Sequence, residues 1–210
     1  MLAQLRACYS AGLITILIIF SVGVCSAAPA KNQRDRADAG DVIKSGLAAY
    51  EKGQLATATQ QLTYALQLVN QKYGDLIAKQ MPTPLKGWKA GKVRLETSAM
   101  MLGGGISATQ EFSKGKGEVE IQVLKDSPLL QSLMMVMNNP MMMGMDGGRM
   151  QQIHGYNALI KYKDRQRRGE LSLIVENRFL ILMKSKQASE DELLAYAEAI
   201  NFSGLKKLLN

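Results

Sequence analysis

Thioether sulfur is the most concentrated chemical function in this sequence. Eight of the thirteen methionines fall between Met134 and Met150, seven of them in the run Met134-Met135-Val136-Met137-Asn138-Asn139-Pro140-Met141-Met142-Met143-Gly144-Met145. Thioethers are soft ligands suited to Cu(I), so Met137, Met141, Met145 and the lone histidine, His154, form a candidate copper set. Two other uses fit the same residues. Met134 and Met137 fall on the apolar side of a helical pattern, and flexible, polarizable loop methionines make an adaptable surface for a protein or lipid. The spacing is irregular and only one imidazole is at hand, so for these methionines packing is the first reading, contact the second and copper the alternative after them.

Nucleophile-and-base chemistry has little to draw on. His154 is the only histidine, and both cysteines, Cys8 and Cys25, lie in an amino-terminal stretch ordered like a secretion signal. A Ser-His-Asp or Cys-His scheme would rest on one residue with no signature around it. The carboxylates have structural places to go. Glu118 and Glu120 alternate with Val119 and Ile121 as the polar side of a strand, and Glu190, Asp191 and Glu192 stand at a helix start, where the macrodipole favours negative charge. Gly103-Gly104-Gly105 lacks both the glycine spacing of a nucleotide loop and a following Lys-Ser or Lys-Thr, and it reads as a turn between strands. No catalytic residue and no resident cofactor are expected, and the protein is read as non-enzymatic.

The amino terminus runs from Arg6 through the apolar stretch Gly12 to Val24 to small residues at Ser26, Ala27 and Ala28. That is the order of charged head, apolar middle and small-residue cleavage site, and the stretch falls short of the about 20 residues that span a bilayer. Residues 1–27 are therefore expected to be removed, with cuts after Ala27, Ala28 or Ala30 all open, leaving a thiol-free body in the periplasm or outside the cell. Acylation of Cys25 fits less well, because Val24 precedes it. The formal charge is +8, and residues 1–27 contribute only Arg6 to it. Such a body is drawn to anionic envelope surfaces or acidic partners, with peripheral membrane contact among the options and nucleic acid disfavoured by the compartment.

Residues 28–40 are polar and aperiodic and read as a flexible leader. Within residues 41–80 the apolar spacing becomes helical: Val42, Ile43, Leu47 and Tyr50, a break at Lys52-Gly53, then Leu55, Ala58, Leu62, Ala65, Leu66, Val69 and Tyr73. Two helices joined at one glycine predict an αα-hairpin. Residues 81–91, with Pro82, Pro84 and the only tryptophan, Trp88, form a linker in which Trp88 is a packing anchor. Over residues 92–210 the dominant period is two. Strands are predicted at 92–96, 107–112, 118–123, 149–154, 156–162, 169–175 and 178–184, the last two separated by the two-residue turn Glu176-Asn177. Ser127-Pro128 starts a helix, and Ser189 with Glu192 forms a capping box ahead of the final one.

The fold class that follows is α+β: an αα-hairpin, then a largely antiparallel sheet of about five to seven strands with two packed helices. Gly46, Gly53, Leu55, Ala58, Leu62 and Ala65 fall at the spacing of a tetratricopeptide unit, and about residues 41–74 resemble one such unit, in which small residues let paired helices approach closely. Ala49 and Asn70 depart from that pattern, and no second copy follows. The order of elements in the sheet region resembles the photosystem-P-protein and Mog1-type α/β sandwiches of small bacterial envelope proteins. On these grounds the protein is expected to be an exported accessory or binding protein that works by contact with an envelope protein or surface, its oligomeric state left open.

Overall fold

The structure, a computed structural model, describes residues 38–97, 105–139 and 147–209. Residues 1–27, expected to be a signal, nearly all of residues 28–40, Gly103, Gly104, Met141, Met142, Met143 and Met145 lie outside the described residues. The described residues form one compact unit.

Helix α1 (Ala39–Glu51) begins where the Asp38 carboxylate accepts the Gly40 N–H at 2.7 Å. It ends at the predicted Lys52-Gly53 break, and α2 (Leu55–Ala78) returns antiparallel to it. Their seam is built of small residues: Val42, Gly46 and Ala49 are buried on α1, and Ala58 and Ala65 on α2. Gly46 sets the spacing, since a Cβ there would stand 2.9 Å from Cδ2 of Leu62.

The described strands are β1 (Lys89–Ala90), β2 (Arg94–Thr97), β3 (Ile106–Lys114), β4 (Gly117–Lys125), β5 (Arg149–Ile153), β6 (Tyr156–Lys163), β7 (Arg168–Val175) and β8 (Phe179–Lys186). They form one antiparallel sheet in the order β1-β3-β4-β8-β7-β6-β5, with β2 pairing the same strand β3 further along. The sheet therefore reaches eight strands only because two short ones share one edge. Helix α3 (Leu129–Met137) follows β4, and α4 (Glu190–Glu198) and α5 (Phe202–Lys207) close the chain. Among the described residues no helix is long and apolar enough to cross a membrane.

Cross-strand partners share a face, so the register sorts the side chains. Ala108, Val123, Ile181, Leu173 and Ala158 make one continuous row, and Ile121, Met183, Leu171 and Ile160 make the next. Leu193, Tyr196 and Ala197 of α4, Phe202 and Leu205 of α5, and Ile77 of α2 complete that core. Gly169 lies beneath α4, where a Cβ would stand 2.8 Å from Leu193 Cδ2 and 2.6 Å from the Tyr162 ring. On the reverse face Leu124, Leu180 and Ile174 stand in register, and α3, with Leu130 buried, packs against β8 there. Helices thus cover both faces, which the pattern of strands and helices along the chain did not specify. The Glu176-Asn177 turn joins β7 to β8 with both residues left-handed, φ 50° and 52°, as a two-residue hairpin with the sheet's twist requires.

Tyr196 is fully buried between Phe112, at 4.5 Å between ring centroids, and Trp88, at 5.4 Å and edge-on, while its hydroxyl accepts the Leu85 N–H at 3.3 Å. It fastens the linker to the core. Replacing Tyr196 by Phe should cost about 1 kcal/mol, the worth of one hydrogen bond, and Tyr196→Ala about 3–5 kcal/mol. Urea unfolding followed by Trp88 fluorescence would measure both, and a Phe variant as stable as the parent would refute the role of the hydroxyl.

Candidate functional site

On α1 the buried stripe is Val42, Gly46 and Ala49. One residue further on at each step stand Ile43, Leu47 and Tyr50, about 100° round the helix. On α2 the inward stripe runs through Ala58, Gln61, Ala65 and Leu68, and one residue further on come Leu62, Leu66 and Val69. Because the helices run antiparallel, this same one-residue offset turns both outer stripes toward the same side of the hairpin. The contact between Gly46 and the Leu62 side chain places them together. Ile43, Leu47, Tyr50, Leu62, Leu66 and Val69 thereby form one apolar face, each side chain between 42% and 62% exposed.

The same stripe continues into Tyr73, where α2 meets the sheet body. The Tyr73 hydroxyl donates to the Leu208 carbonyl, and Lys125 Nζ sits 4.6 Å from the centroid of its ring. Gly74 and Ile77 follow against Leu95, Ile106 and the core. The apolar stripe is thus docked on the body at its carboxyl end and exposed along the rest of its length. From Leu55 to Gln71 the helix carries no charged residue, so the charges that border this face come from α1, where Lys44 pairs with Asp41. Periodicity placed the apolar residues on one face of each helix; the structure divides them, burying Val42, Ala49, Ala58 and Ala65 and exposing Ile43, Leu47, Tyr50, Leu62, Leu66 and Val69. The signal was present in the sequence as adjacent pairs, Val42-Ile43, Ala49-Tyr50 and Ala65-Leu66, which one narrow stripe cannot bury together.

The candidate copper set is placed as follows. Met137 ends α3, half-buried, on the reverse side of the sheet. His154 occupies the turn between β5 and β6 at φ 50°, its Nε2 3.0 Å from the Glu198 carbonyl and its ring 5.0 Å from that of Phe202, which belongs to the opposite face. The sheet separates these two, and Met141 and Met145 lie outside the described residues. Among the described residues no three His, Cys, Asp or Glu side chains gather within reach of a metal ion.

Trp88 is buried, and its Nε1 donates to Glu192 Oε1 at 3.3 Å, an oxygen that Lys114 Nζ also approaches at 3.1 Å. Glu192 completes the capping box as well, its Oε2 accepting the Ser189 N–H at 3.0 Å while the Ser189 hydroxyl accepts the Glu192 N–H at 3.2 Å. Burial pushes its carboxyl up, but the donors from Ser189, Lys114 and Trp88 together outweigh burial and hold it below its ordinary value of 4.5. A carboxylate with a depressed native pKa contributes stability that is full above the unfolded-state value and is lost as pH falls through the native one. Acid titration should therefore perturb Trp88 emission below pH 4.5, and Glu192→Gln should flatten that change. An unaltered titration in the variant would show that Glu192 does not report there.

No protein-family model, curated protein or solved structure matches this chain, so its function is read from its own surfaces.

Proposed function

We propose that this is an exported, non-enzymatic accessory protein of the bacterial envelope that works by contact, and that its apolar hairpin face receives an amphipathic helix of another protein. The observation that carries the reading is the exposed row of Ile43, Leu47, Tyr50, Leu62, Leu66 and Val69 on a hairpin whose own seam is already closed by small residues. Two ridges of large side chains flanking a seam of Gly and Ala leave a shallow groove, the shape that takes a helix through its i, i+3, i+4 and i+7 side chains. The lack of charge along Leu55 to Gln71 favours an apolar occupant over an acidic one. Burying the exposed half of six such side chains contributes roughly 6 kcal/mol. Association entropy offsets much of that, so the contact is exchangeable and not obligate.

A photo-crosslinking side chain placed at Leu47 or Leu66 should capture one reproducible protein in intact cells. The same probe at Tyr64, on the other side of α2, should not, and Leu62→Glu with Leu66→Glu should abolish the product. Capture from Tyr64 as well, or of a second copy of this chain alone, would overturn the proposal. Stability supplies a further check on the geometry. Leu66→Lys should change it by no more than about 0.5 kcal/mol, whereas Ala65→Leu, one position away but in the seam, should cost about 1–3 kcal/mol. Thermal unfolding of the two variants compares them directly, and a large loss for Leu66→Lys would mean that the face is occupied within the chain.

A further inference from the structure

The end of the sheet at the β3–β4 turn, opposite the Lys125 end where Tyr73 docks, gathers cations from four separate stretches of chain. Lys89 pairs with Ser113 at the edge, Lys114 ends β3 and Lys116 lies in the β3–β4 turn. Lys163 ends β6, Arg165 and Arg167 belong to the turn that follows, Arg168 opens β7, and Lys186 ends β8. The register sets three of them side by side: Lys163 opposite Arg168, and Arg168 opposite Lys186. Like charges directly opposite one another across strands are destabilising, so this row carries an electrostatic cost, which the Glu118–Lys186 pair and Glu170 in the adjoining row offset only in part. Its one acid is Glu118, 3.5 Å from Lys186 at the far end of the row. Among the described residues, Lys116, Lys163, Arg165 and Arg168 are exposed and have no acidic partner, in contrast to Arg94, Arg149 and Arg178, which are paired with Glu111, Glu190 and Asp126. Between Lys163 and Arg168 opens a cleft of about 700 Å³, lined also by Lys161, Tyr162 and Gln166, with Glu170 as its acidic side chain.

We infer that this end of the sheet is a binding surface for anionic phospholipid head groups, seating the protein on a membrane. The cations extend from β1 to β6, a width of about 24 Å at the usual strand spacing. They do not converge on one point, so a flat array of phosphates can meet several of them at once while a single small anion cannot. The large exposed apolar side chains of the described residues lie elsewhere, on α1, α2, β2, α3 and β5, so the attachment is electrostatic and without insertion of those side chains. The inference stands on a different surface from the hairpin reading and does not need it: a protein attached at this end would present the hairpin away from the bilayer.

Co-sedimentation of the full chain with vesicles of phosphatidylcholine alone, and with about a third of it replaced by phosphatidylglycerol, tests this. Phosphatidylcholine measures whatever the amino-terminal apolar stretch contributes, and the difference between the two reports the head-group charge. Changing Lys163, Arg168 and Lys186 together to Gln should weaken the phosphatidylglycerol-dependent part about a hundredfold and leave the phosphatidylcholine part unchanged. It should not lower the thermal midpoint, because it relieves repulsion. Should that variant fold poorly, Lys116→Glu with Arg165→Glu, in exposed turns, gives the same readout. A control of equal charge loss on the hairpin, Lys52, Lys72 and Lys79 to Gln, should keep most of the binding. Equal loss in that control would mean that net charge alone is responsible, and the inference would fall. It would also fall if inorganic phosphate, at constant ionic strength, displaced the protein at millimolar concentration, since the cleft would then be a small-ion site.

Discussion

The pairing of β4 with β8 makes one sheet from two pieces of chain, and everything else in the body depends on it. The hairpin β3–β4 and the meander β5 to β8 are each local, built from neighbours in sequence. Joining them sets Ile121 beside Met183 and Val123 beside Ile181, so that the apolar side of the first piece and that of the second become one surface large enough for α4, α5 and the end of α2 to cover. A slip of one residue in this register would send every side chain of one piece to the wrong face. The same pairing stacks the reverse face into rows, one of them apolar under α3 and another the cationic row at the opposite end of the strands.

The hairpin obeys a different constraint. Its helices approach closely because Gly46, Ala49, Ala58 and Ala65 occupy the seam, and close approach leaves little room between them for larger side chains. Ile43, Leu47, Leu62 and Leu66 are displaced outward for the same reason that the seam is tight. Exposure of the apolar face is thus a consequence of how the two helices meet. Tyr73 and Gly74, a turn further along, show what that stripe does when a partner surface is present: they pack on the sheet. The molecule in this way has a docked half-stripe and an exposed one on a single helix, with its cationic end on the other side of the body.

Much of the architecture was legible in the residues. Alternation located β4, β7 and β8, Glu176-Asn177 marked their tight turn, Ser189 with Glu192 marked the start of α4, and Gly53 divided the two helices. These are local properties: a period, a left-handed turn and a cap each arise within a few neighbouring residues. Sequence reading was weaker where local rules tie. It could not separate the inward from the outward apolar residues of the hairpin, because both recur at helical spacing, and it did not see β1, whose two residues exist as a strand only because Ser113 and Phe112 of β3 offer them a free edge. The copper set it singled out, Met137, Met141, Met145 and His154, was chosen for its chemistry, and its two described members, Met137 and His154, lie on opposite sides of the sheet.

Composition and spacing alone therefore determined the kinds of element and their order along the chain, along with the surplus of positive charge. Tertiary pairing decided which apolar side chains are left at the surface and which cations become neighbours. The reason is one of range. Helix and strand periods come from backbone geometry over a few residues, whereas the row Lys163–Arg168–Lys186 and the face spanning Ile43 and Leu66 join positions that only long-range register and helix packing bring side by side.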